Sequence, residues 1–103
     1  MITILFRMKM RNGKEEPALA SLRKMAEAVS ASEPNTLAYV FHRSQDDAAD
    51  VVLYEAYPDK AALQAHVQSP HMAEFQTSVA ELFDTSAIKV DALKRIAGFV
   101  RAS

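Results

Sequence analysis

His66, His71 and Glu55 are the side chains of this chain best suited to moving a proton near neutral pH. They stand among Tyr39, Tyr54, Tyr57, Met72 and Phe75, which could wall a dry cleft for an apolar ligand. An imidazole transfers protons near neutrality, and a carboxylate on its other ring nitrogen fixes the tautomer and raises its basicity. Glu55 bonded to His66 is therefore a candidate acid–base pair, with His71 as a second hydrogen-bonding group. The same pair also reads as a histidine at the edge of the core and a glutamate that satisfy each other. His42 alternates with Val40 and reads as a strand residue at a sheet margin. No metal is expected, because His66 and His71 flank a Ser69-Pro70 break and, even with Glu55 added, match no recognised ligand spacing.

The elements that must position these residues follow from periodicity. Ile2 to Met10 alternate apolar and polar side chains, the period of a strand. Arg11-Asn12-Gly13-Lys14 is a polar turn, and Pro17 fits the first turn of a helix carrying Leu19, Leu22, Met25, Ala26 and Val29 on one side and ending near Glu33-Pro34. Thr36 to Arg43 and Val51 to Tyr57 are rich in β-branched and aromatic residues and should pair as a long-looped hairpin. Asp59 caps a helix through Val67, and Ser69 with Pro70 restarts it up to about Asp84. On this reading Leu63 points to the core, which brings His66 to the core's rim facing the sheet. His71 falls in the first turn after the restart, where unpaired backbone N–H groups suit a ring that accepts a hydrogen bond. A last strand runs roughly from Ser86 to Leu93, and Ile96, Phe99 and Val100 form an apolar tail.

The order β-α-β-β-α-β predicts an α+β, ferredoxin-like single domain over residues 1–103, with an antiparallel sheet carrying its helices on one face. Both faces of the second and third strands are nevertheless apolar. A bare face of several large side chains exceeds what soluble monomers usually expose, and each such side chain contributes roughly 1.5–3 kcal/mol when buried. A second copy packed sheet against sheet, a homodimer, is the expected cover.

Composition excludes several classes. Twelve Lys plus Arg against 13 Asp plus Glu leave a net charge of -1 with no basic stripe, so nucleic acid is not an expected partner. The chain has no Cys, which removes disulfides and thiolate chemistry, and its 2 glycines form no phosphate loop or dinucleotide fingerprint. No apolar run is long enough to span a bilayer, and the start of the chain is charged too early for a signal peptide, so a cytoplasmic protein with no membrane partner is expected.

The stretch Leu53-Tyr54-Glu55-Ala56-Tyr57-Pro58-Asp59-Lys60, continuing through Leu63 and His66 to Ser69-Pro70-His71-Met72, resembles the signature of the antibiotic biosynthesis monooxygenase family. Glu33-Pro34-Asn35-Thr36-Leu37-Ala38-Tyr39 is similar to that family's approach to its second strand, with Asn35 where members often have Gly; Tyr57 stands where many have Trp. The resemblance implies a dimeric α/β barrel and cofactor-free oxygenation of a quinol or polycyclic phenol by molecular oxygen. It implies His66 as the proton-transfer group oriented by Glu55, His71 as a second hydrogen-bonding group, and an aromatic pocket that includes Tyr39 and Phe75. Relatives that isomerise small phosphorylated ketones suggest an alternative, for which Arg43 is the candidate cation. A non-catalytic dimer that binds an aromatic metabolite is the third reading.

Overall fold

The computed structural model describes residues 1–101. Its elements run β1 (Ile2–Lys9), α1 (Glu15–Ser32), β2 (Ala38–Arg43), β3 (Asp50–Tyr57), α2 (Lys60–Val67), α3 (Pro70–Leu82), a short 3-10 turn (Thr85–Ala87) and β4 (Lys89–Leu93). The four strands form one antiparallel sheet in the order β2-β3-β1-β4, the ferredoxin-like arrangement, with the second helix of that pattern split in two. The last strand is shorter than its alternation predicts because Asp84 caps the 3-10 turn through Ser86, which takes those residues out of the ladder.

Local chemistry accounts for the breaks. Asn12-Gly13 turns the chain into α1, and Gly13 takes a positive φ of 79° that a side chain would strain. Pro58 ends β3, and Asp59 accepts the Ala62 N–H at 2.9 Å to start α2. Ser69 caps α3 by accepting the Met72 N–H, and its own hydroxyl donates to the His66 carbonyl at 2.7 Å, so one side chain ties the end of α2 to the start of α3. Pro70 occupies the first helical position, where no N–H is needed.

Registers Ile4↔Glu55↔Tyr39 and Phe6↔Leu53↔Phe41 line up the face turned toward the helices. Beneath α1 and α3, Met8, Met10, Leu22, Val51, Leu82 and Phe83 make the core. The other face carries Leu5, Val40, Val52, Tyr54 and Leu93, and no helix covers it. Val40 and Leu93 are exposed there; beyond β4, Ile96, Phe99 and Val100 are exposed as well. Among the described residues no helix is long and apolar enough to cross a membrane.

Candidate active site

A cleft of about 570 Å³ opens between the helix-side face of the sheet and helices α2 and α3. Tyr39, Phe41 and Leu53 contribute to its sheet wall, and Met72, Phe75 and Val79 to its helix wall. Two groups able to exchange protons, Glu55 and His66, lie in this largely apolar lining, whose other polar side chains are Tyr39, Gln76 and Thr85. Tyr39 is in contact with His66, their ring centroids 5.1 Å apart. Burial, reinforced by the charges of Glu55 and Glu33, holds the Tyr39 phenol far above its ordinary pKa, so it remains a hydrogen-bond donor.

His66 is 2% exposed, and its partner is not Glu55. Its Nδ1 lies 2.9 Å from Oε2 and 3.1 Å from Oε1 of Glu33, the residue that caps the C-terminus of α1. The same Oε2 is bonded to Nε2 of His71, and Thr36 Oγ1 donates to Oε1 at 2.7 Å. A local threonine and two histidines more than 30 positions downstream thus converge on one carboxylate, whose side chain is only 8% exposed. Burial pushes the Glu33 carboxyl up, but hydrogen bonds from His71, Thr36 and His66 outweigh it and hold the group below its ordinary value. Glu33 is therefore an anion that accepts, and both histidines donate to it. This corrects the expectation that His71 would accept: its Nε2 faces a carboxylate that has no proton to offer.

The tautomer of His66 follows. With the proton on Nδ1 directed at Glu33, the lone pair of a neutral ring resides on Nε2. Nε2 has no partner among the described residues, and no fully buried side-chain nitrogen or oxygen there lacks one, so Nε2 keeps its access to the cleft. Glu55 instead accepts the Tyr57 hydroxyl at 2.5 Å. Burial raises the Glu55 carboxyl above its ordinary value, only partly offset by the Tyr57 hydrogen bond.

The remaining predicted residues separate by strand parity. Tyr39, Met72 and Phe75 line the cleft. Tyr54 does not: alternation along β3 turns it to the uncovered face, where its hydroxyl accepts from Arg95 at 3.3 Å. Tyr57 shares the helix-side face but is wholly buried behind His66, ring centroids 5.6 Å apart, and supports the imidazole without reaching the cleft. His71 lies outside the cleft wall, where with Glu33, Thr36 and Ser69 it borders an outer groove of about 850 Å³. His42 sits exposed on the uncovered face, bonded to the Val52 carbonyl. Arg43 donates to the Ala48 carbonyl beyond the end of β2, and none of the described side chains lining the cleft is Lys or Arg.

Glu33 is the residue that sequence reasoning missed. A signal existed, since a carboxylate at a helix C-terminus faces the negative end of the macrodipole and needs a compensating partner. The ligand atoms of Glu33, His66 and His71 all lie within 4.8 Å of one another, close enough to converge on a single cation.

The comparisons with known proteins agree with this architecture. The family described as "Antibiotic biosynthesis monooxygenase" matches residues 1–78. Among solved structures, Rv0793 from Mycobacterium tuberculosis is 26% identical with a TM-score of 0.82, covering 94% of this chain and 96% of its own. PA3566 from Pseudomonas aeruginosa is 27% identical with a TM-score of 0.83, covering 93% of this chain and 94% of its own. A protein described as an antibiotic biosynthesis monooxygenase shares the fold, with a TM-score of 0.84 at 22% identity over 94% of this chain and 100% of its own. No curated protein matches significantly.

Proposed function

The chain belongs to the antibiotic biosynthesis monooxygenase family, and from that premise we propose that it oxygenates a quinol or polycyclic phenol with molecular oxygen, without a cofactor. The observation that carries this reading is the unpartnered Nε2 of His66, held toward an apolar cleft by the bond from Nδ1 to Glu33. Nε2 takes the phenolic proton, and the electron-rich phenolate passes one electron to oxygen. Radical recombination forms a carbon–oxygen bond to a peroxide. Loss of water then leaves a ketone or quinone, with one oxygen atom in the product, the other in water, and both hydrogens of that water drawn from the substrate. Tyr39 supplies a neutral donor for the substrate oxygen, and the Met72 and Phe75 side chains exclude water.

The active unit in this proposal is a homodimer whose uncovered sheet faces pack together. The isomerase reading has no observation in its favour, since a phosphorylated substrate would meet no Lys or Arg side chain among the described residues of the cleft. Oxygen uptake over a panel of hydroquinones, naphthols and anthrones tests the proposal. At least one substrate should consume oxygen in a His66-dependent way; no uptake across the panel, or equal uptake by a folded His66→Ala protein, would overturn it.

A further inference from the structure

We propose that Glu33, His66 and His71 form a binding site for a first-row divalent transition-metal ion of the zinc class, reached through the outer groove, and that filling it reverses the hydrogen-bonding character of His66 toward the cleft. Two imidazoles and one carboxylate are the donor types such ions prefer, and three protein ligands leave a position open to the groove. At metal–ligand distances of about 2.0–2.2 Å, tetrahedral ligand atoms stand roughly 3.3 Å apart. His66 Nδ1 and Glu33 Oε2 are already 2.9 Å apart, and all three ligand atoms lie within 4.8 Å, so small side-chain rotations admit the ion. Thr36 Oγ1 holds the second carboxylate oxygen, and Ser69 ties together the helix ends that carry the two histidines, so the ligands are oriented before the ion arrives. The groove bordered by Glu33 and His71 gives the ion its path from solvent.

The ion would take the place of the two protons now directed at Glu33. With Nδ1 of His66 bound to metal, the proton of the neutral ring must sit on Nε2, which turns the cleft-facing nitrogen from acceptor into donor. The binding site itself does not depend on the oxygenase reading. Its consequence does: the metal-loaded protein would have lost its base.

Titration of the metal-free, full-length protein with Co²⁺, followed by visible absorption and by competition with Zn²⁺, tests the site. One saturable ion per chain is expected, with histidine nitrogens in its spectrum. His71→Ala and Glu33→Gln, each checked for native circular dichroism, should weaken binding more than 10-fold. Thr36→Val should weaken it roughly 10-fold, and His42→Ala should leave it unchanged. Nitrogen-15 NMR of labelled histidines should show His66 moving from the Nδ1–H to the Nε2–H form on adding Zn²⁺. Absence of saturable binding, retention of binding by both His71→Ala and Glu33→Gln, or an unchanged His66 tautomer at saturation would overturn the proposal. Binding with the tautomer change but no oxygen uptake by the metal-free protein would leave this site standing and remove the oxygenase reading; uptake without binding would do the reverse.

Discussion

Glu33 governs what His66 can do, because a carboxylate that accepts from Nδ1 leaves a lone pair on Nε2. If that lone pair is the base, His66→Ala should lower kcat/KM by roughly 10²–10⁴-fold, measured as oxygen uptake on a responsive quinol; a rise in KM with kcat unchanged would speak against the role. Glu55 supports a separate prediction. Burial raises its pKa in the folded chain, so the folded state holds that proton more tightly than the unfolded state. Its contribution to stability is full below the unfolded value and is lost as pH rises through the folded value. Gln keeps an acceptor for the Tyr57 hydroxyl without the charge. Glu55→Gln should therefore melt like wild type near about pH 4 and above it at about pH 8. Thermal melts of both proteins across that range decide this, and equal or lower stability of the variant at the alkaline end would contradict the assigned burial effect.

At the scale of elements, the break between α2 and α3 places the histidines. Without it a continuous helix would carry His66 and His71 on diverging directions, about 100° of rotation per residue. Ser69 makes the break by capping α3 and donating to the last turn of α2. Ser69→Ala should destabilise the protein by about 1 kcal/mol, a fall in Tm of roughly 4–8 °C, while Ser69→Asn should recover part of it by restoring the cap. The same scale explains the tyrosines. Period-two alternation along β3 separates Tyr54 from Glu55 and turns it away from the cleft, although its chemistry resembles that of Tyr39. Tyr57 had the correct parity, but only the packing of α2 over its ring shows that His66 lies between it and the cleft.

For the whole molecule, the uncovered sheet face is the dominant unsatisfied surface. Leu5, Val40, Val52 and Leu93 lie on it, and Val40 and Leu93 are exposed. A second copy that buries this face should give a species of about twice 11.4 kDa by light scattering. Val40→Asp, which sets a charge in the middle of that contact, should shift it toward the single-chain mass. A wild-type protein that stays monomeric at micromolar concentration would remove the dimer from the proposal.

Periodicity, caps and turn residues were enough to determine the elements, their order and the two-faced sheet, because each depends on neighbours within a few positions along the chain. The aromatic and sulfur lining from Tyr39, Met72 and Phe75 was legible for the same reason: each sits on the inward side of its own strand or helix. Which carboxylate meets His66 was not legible. Glu55 lies on an adjacent element, yet the partner is Glu33, 33 positions upstream, because the exit of α1 crosses the junction of α2 and α3. That meeting depends on how three helix ends pack in space, a long-range property that no local pattern encodes.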